Sequence, residues 1–382
     1  MRAPDAPIET SSAAADLAVE AGLVYVTDAD PGFVRIRRGD HFVYRASDRR
    51  PVRDAATLER IACLAIPPAY EDVWICANPR GHLQATGRDA RRRKQYRYHP
   101  DWCAVRDDVK FERMVMFGDA LPRLRRRLRA DVAQPGLPRD KVLAVVVCLL
   151  DVTRARIGNE AYARDNRSYG LTTLRNRHVS FVRDGRARLV FRGKGGTGHE
   201  VTIDDRRLAR VVRHCQQLPG QLLFQYVDDD GGRHPVTSDL VNDYLGQVMG
   251  APFTAKDFRT WGATLRAFSL MAATPLPEPS SERACKACEL AAIRAVAADL
   301  RNTPAVCRRS YINPVVFTAW RSGALQTPAN SLASAPRQAE AAALHFLRAR
   351  ARAARRQAAV SQRTRPRQRL PGADTRAAPS AR

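Results

Sequence analysis

The 382-residue sequence has no run approaching the roughly 18 uncharged apolar residues that a membrane-spanning helix needs. Its start, Met1-Arg2-Ala3-Pro4-Asp5, lacks the apolar core of a secretory signal, so a cytoplasmic protein is expected. Acidic residues are scarce beside basic ones: 39 Asp and Glu face 64 Lys and Arg, for a net charge of +25. Such a field draws in a polyanion, and with no membrane-directed segment the implied partner is nucleic acid. Of eight cysteines, only Cys285 and Cys288 are spaced as CxxC, without the second pair or His pair that a zinc site requires. Reduced thiols and no metal are expected. Lysine is rarer still. Only Lys94, Lys110, Lys141, Lys194, Lys256 and Lys286 occur, and the other 58 basic residues are Arg. Where Arg serves for generic positive charge, a Lys other than Lys110 or Lys286, which chance could place, points to a position where the ammonium itself is needed.

What is present suffices for two domains and a tail. Residues 1–20 are polar and small, and read as a flexible start. Residues 21–108 hold short β-type runs, Val24-Tyr25-Val26, Phe33-Val34-Arg35-Ile36 and Val73-Trp74-Ile75-Cys76, with a helix over Asp54 to Cys63. Residues 109–325 turn helical. Phe111 to Ala130 and the apolar Lys141 to Thr153 lead into strands at His178 to Val182, Ala187 to Phe191 and His199 to Ile203. Helices follow over Asp205 to Leu218, Ser238 to Met249, Thr254 to Ala272 and Arg283 to Leu300. Residues 326–382 carry 12 Arg against one Glu and one Asp, a basic tail that is helical over Gln338 to Arg356 or disordered, and that either binds phosphate without sequence preference or is a solvated appendage without a role. The expected class is α+β: a small β-rich N-terminal domain, a mainly helical domain with a three-stranded β unit, and the tail.

Four residues invite chemistry. Lys194 sits in Arg192-Gly193-Lys194-Gly195-Gly196-Thr197-Gly198 between two strands. That is no nucleotide-binding loop, which needs Lys-Ser/Thr and a following helix. Unlike Arg, a lysine can release its proton, so Lys194 is a candidate general acid. Arg156 follows the apolar helix and Arg259 lies on an amphipathic one, so together they could clamp the oxygens of one phosphate. Tyr311, in Ser310-Tyr311-Ile312-Asn313-Pro314, is a candidate nucleophile toward phosphorus. Taken singly, these are an exposed hairpin lysine, two ordinary arginines and a packed aromatic.

Their order and local text change that reading. Arg156-Ile157-Gly158-Asn159, the passage Ser168 to His178, Phe191-Arg192-Gly193-Lys194, Lys256-Asp257-Phe258-Arg259-Thr260 and Ser310-Tyr311-Ile312 together resemble the type IB DNA topoisomerases, in the small branch of poxviruses and bacteria. Lys94-Gln95-Tyr96-Arg97-Tyr98-His99 resembles that family's DNA-touching N-domain segment, and the likeness spans about residues 20–325. One position departs from the pattern: where the family usually has His, nine residues before the tyrosine, this chain has Asn302. Asn keeps an N–H donor but carries no charge.

The resemblance implies a DNA-binding isomerase of bacterial type that acts on double-stranded DNA as a nucleoid-associated monomer, without ATP, metal or other cofactor. It implies Tyr311 as the residue that becomes joined to a 3′ phosphate. Arg156, Arg259 and Asn302 would hold the nonbridging oxygens, and Lys194 would protonate the departing 5′ oxygen. DNA contacts are expected from Gln95, Tyr96, Tyr98, Arg91, Arg92 and Arg93 of the small domain, and from Tyr162 and Lys256 of the larger one. Two alternatives share parts of this pattern. A tyrosine recombinase or integrase has the same scaffold but typically carries His where this chain has Lys256. A catalytically weakened DNA-binding protein would follow if Asn302 cannot replace His.

Overall fold

Alternating apolar and polar residues build the first sheet, because successive side chains of a strand point to opposite faces. The computed structural model describes residues 11–325, apart from Arg91 and Ser280, and residues 336–364. The described chain divides into two units between Arg113 and Met114. In the first, β1 (Gly32–Arg38), β2 (His41–Arg45), β3 (Glu71–Cys76), β4 (Leu83–Arg88) and β5 (Lys94–Tyr98) form an antiparallel sheet in the order β2-β1-β3-β4-β5. Ile61 of α2 (Ala55–Cys63) packs on Val73, Ile75 and Ala85 of the sheet. The Asp54 carboxylate caps that helix by accepting the Thr57 N–H at 2.8 Å.

Two expectations for this unit change. Residues 11–20, read as part of a flexible start, form α1 (Ser11–Glu20), and Ala14 and Ala18 pack with Leu23 and Trp102. Small side chains suggested looseness, yet they let a helix lie close against an indole. The run Val24-Tyr25-Val26 is no strand; it makes one isolated bridge, from Val24 to Gly81. Residues 1–10 lie outside the described residues.

The long helix α3 (Pro100–Val132) spans the division, and the second unit is mainly helical from there. Its centre is α4 (Arg139–Thr153), with every residue from Lys141 to Val147 buried, as a continuous apolar run requires. Lys141 is accommodated by donating to the Gln134 carbonyl at 2.6 Å. After α5 (Glu160–Asn166) come β6 (Val179–Phe181), β7 (Ala187–Arg192) and β8 (Gly198–Ile203), an antiparallel sheet in chain order. Then follow α6 (Arg206–Gln217), the two-stranded pair β9 (Gln225–Val227) and β10 (Arg233–Pro235), α7 (Ser238–Met249), α8 (Ala255–Ala272), α9 (Glu282–Leu300), α10 (Pro304–Ser310), α11 (Val315–Arg321) and α12 (Pro336–Thr364). The architecture is α+β, a β-rich N-terminal unit and a mostly helical second one. Among the described residues, no helix is long and apolar enough to cross a membrane.

Candidate active site

Four segments of the second unit bring Arg156, Arg259, Asn302 and Tyr311 together. The first is the stretch after α4, where Arg154 takes a left-handed conformation (φ 52°) that ends the helix. Beyond it, the Arg156 carbonyl accepts the Leu171 N–H at 3.0 Å, and the Ile157 carbonyl accepts the Thr172 N–H at 2.7 Å. Gly170 makes this lacing possible: a Cβ there would stand 2.4 Å from Gly158 N and 2.6 Å from the Arg156 carbonyl oxygen. That is the physical content of the glycine in the Ser168-Tyr169-Gly170 text. Arg156 Nη2 donates to Asn302 Oδ1 at 3.3 Å.

Arg259 comes from α8, at whose start the Asp257 carboxylate accepts the Thr254 N–H at 2.7 Å and the Thr254 hydroxyl at 3.1 Å. It is only 3% exposed, a burial that an arginine tolerates when its donors are met. Nη1 donates to the Arg154 carbonyl, and Nη2 to the Leu300 carbonyl at 3.0 Å. One guanidinium thus joins the ends of α4 and α9, and it lies 5.1 Å over the Tyr311 ring. Arg259 Nε and Asn302 Nδ2 are buried without a hydrogen-bond partner. Buried unmet donors are costly, so these two call for an explanation.

Tyr311 closes α10, and its N–H bonds the Cys307 carbonyl at 3.1 Å. The buried Thr264 hydroxyl, five residues after Arg259 on α8, donates to the Tyr311 carbonyl at 3.2 Å and accepts the Asn313 N–H at 3.0 Å. The backbone at Tyr311 is thereby pinned to the helix that carries Arg259. Burial pushes the nearby Cys307 thiol up, which disfavours its thiolate.

Lys194 is exposed at the tip of a 3-10 turn between β7 and β8, where Gly195 and Gly196 take φ of 76° and 82°. These left-handed conformations suit glycine and explain its run after the lysine. At the base of the turn His199 is buried, stacked on Phe191 with centroids 4.9 Å apart. Burial, and then the charges of Arg156, Arg259 and Arg301, push its pKa down to about 4. The hairpin root therefore sits within electrostatic reach of both arginines.

The proposed DNA contacts are scattered. Lys256 is exposed in the first turn of α8. Tyr96 and Tyr98, two apart on β5, are stacked on one face of the strand, while Gln95 points the other way and donates to Asp89 at 3.0 Å. Arg92 is exposed in the β4–β5 turn, and Arg93 pairs with Asp89 at 2.7 Å. Arg91 and the Tyr162 side chain lie outside the described residues. Thr264, His199 and Arg154 were not singled out in the sequence. Their only signal was closeness in the chain to Arg259, Lys194 and Arg156.

Arg259, Arg156 and Asn302 thus lie in one cluster with Tyr311, and comparisons with known proteins show the family of the chain. Residues 93–317 match the family described as the catalytic core of eukaryotic DNA topoisomerase I, and residues 41–89 the N-terminal domain of bacterial DNA topoisomerase IB. The chain is 33% identical over 286 residues to DNA topoisomerase 1B of Acanthamoeba polyphaga mimivirus, covering 74% of this chain and 85% of the viral protein. It is 23% identical over 285 residues to DNA topoisomerase 1B of vaccinia virus (strain Copenhagen) and to DNA topoisomerase I of monkeypox virus, in each case 73% of this chain and 85% of the relative. The chain belongs to the type IB DNA topoisomerases.

Proposed function

We propose that the protein relaxes supercoiled duplex DNA by cutting one strand, letting it swivel and resealing it, through a phosphotyrosine at Tyr311. The Tyr311 oxygen attacks a backbone phosphorus and gives its phenolic proton to water. The new Tyr–O–P bond replaces the P–O5′ bond, leaving a 3′-phosphotyrosyl end. Lys194 delivers a proton to the departing 5′ oxygen, which Arg cannot readily do. Arg156, Arg259 and Asn302 donate to the nonbridging oxygens, whose charge they meet in a site already built for it. The reverse attack by the 5′ hydroxyl restores the strand. Because the phosphodiester's energy is kept in the phosphotyrosine, no ATP is needed, and cationic side chains supply the charge stabilisation for which other phosphoryl-transfer enzymes use a metal.

The observation that carries this reading is the arrangement of Arg259 over the Tyr311 ring, with Asn302 held by Arg156 and two donors left unmet beside them. The DNA contacts named above and action as a monomer belong to the same proposal. The test is relaxation of negatively supercoiled plasmid in EDTA without ATP, beside Tyr311→Phe. Relaxation by the wild-type protein alone supports the reading. Tight binding without relaxation would leave a DNA-binding protein on a topoisomerase scaffold.

A further inference from the structure

The family match to the catalytic core ends at residue 317, but the folded chain does not. Ala339, Ala343 and Leu347 of α12, spaced four apart, are buried, and the first two join the apolar cluster of Met271, Phe317 and Trp320. Next to Ala339, Glu340 turns inward. Its Oε1 accepts the Trp261 indole N–H at 2.9 Å and Arg125 Nη2 at 3.1 Å, and its Oε2 accepts Arg125 Nη1 at 2.5 Å. Arg125 also holds the Asp151 carboxylate at 2.9 and 3.2 Å. Burial opposes ionisation of Glu340, but the bonds from Arg125 and Trp261 outweigh it and hold the carboxyl below its usual range. One carboxylate on α12 thus ties together α3, α4 and α8.

These ties end beside the chemistry. Trp261 is two residues beyond Arg259 on α8, and Asp151 is five residues before Arg156. Between them lies Arg154, whose carbonyl takes the Arg259 Nη1 bond. Its side chain lies so close to α8 that a Cβ on Gly262 would stand 2.1 Å from Arg154 Nε. A small shift of α8 against α4 would therefore change the separation of the two arginines directly.

We propose that Glu340 is a positioning residue: by holding Trp261 and, through Arg125, Asp151, it sets the spacing of Arg259 and Arg156 around the scissile phosphate. The inference rests on the mechanism proposed above. A buried ion network is a weak source of stability in itself, whereas reacting groups tolerate little misplacement. The role predicted is therefore on rate rather than on DNA affinity.

The test uses the full chain in single-turnover cleavage of a duplex that traps the covalent adduct. The adduct amplitude counts competent molecules, the rate reports geometry, and fluorescence anisotropy gives the DNA affinity. Glu340→Ala is expected to slow cleavage at least about tenfold, with amplitude and affinity within about twofold of wild type. Glu340→Gln, whose amide oxygen still accepts from Trp261, should fall between the two. Trp261→Phe, which keeps a ring but loses the N–H, should also slow cleavage, and these two variants decide the matter if Glu340→Ala does not fold. Wild-type rates in all variants, or a loss confined to adduct amplitude, would overturn the positioning role. No adduct from the wild-type protein would sink the mechanism itself, a result distinct from active wild type with indifferent variants.

Discussion

At the scale of single residues, Arg259 does two jobs at once. It faces the Tyr311 ring and also meets the carbonyls of Arg154 and Leu300. Arg259→Ala should slow strand cleavage by about 10²–10³-fold, as loss of one oxyanion donor does. It should also cost on the order of 1–3 kcal/mol of stability for each carbonyl left buried without a donor, read by denaturant unfolding. A rate loss without any stability loss would mean that those two bonds are not made. His199 offers a pH test. Its pKa lies at 6.5 when unperturbed and near 4 in the fold, so the unfolded chain binds the extra proton between those values. This group leaves stability unchanged above about pH 7 and lowers it as pH falls through the window toward 4, where the deficit reaches on the order of 3 kcal/mol. His199→Phe, which keeps an aromatic ring against Phe191, should lose Tm less steeply than wild type from pH 7 to 4. Parallel curves would show that the imidazole is not shielded from its proton.

At the scale of elements, periodicity and motif order made most of the site legible. Ser238–Met249 has the bounds that its apolar spacing predicts, and Thr254 and Asp257 cap α8 as their separation suggests. Arg156, Arg259, Asn302 and Tyr311 could be named because family text surrounds them. What stayed hidden depends on tertiary contact. Thr264 reads as an ordinary helical threonine until its hydroxyl is seen bridging Tyr311 and Asn313. The α12 sequence reads as a basic appendage with a helix over Gln338 to Arg356, and the helix is there, but its packing through small residues against α8 stayed hidden. Residues 11–20 misled for the same reason. The turn at Gly170 gives a prediction at this scale. Gly170→Ala places a methyl against Gly158 and the Arg156 carbonyl, so the backbone must move. The expected result is roughly 1–3 kcal/mol of destabilisation together with slower cleavage. Wild-type cleavage in a stable Gly170→Ala protein would show that the lacing of 156–158 to 170–173 does not place Arg156.

At the scale of the whole molecule, charge and site serve different ends. The net charge of +25 supplies affinity for a polyanion along its length, with no information about chemistry. In the proposed mechanism the chemistry lies in a few donors around one tyrosine, and membership of the type IB DNA topoisomerases makes DNA the substrate on which they would act. The most direct measurement is to trap the protein on a duplex that loses its 5′-hydroxyl strand after cleavage, in EDTA without ATP, and to locate the adduct by peptide mass spectrometry. A 3′-phosphoryl nucleotide on Tyr311 is the result expected. An adduct on another tyrosine, a 5′-phosphoryl linkage, or cleavage that appears only when a divalent metal is added would contradict it.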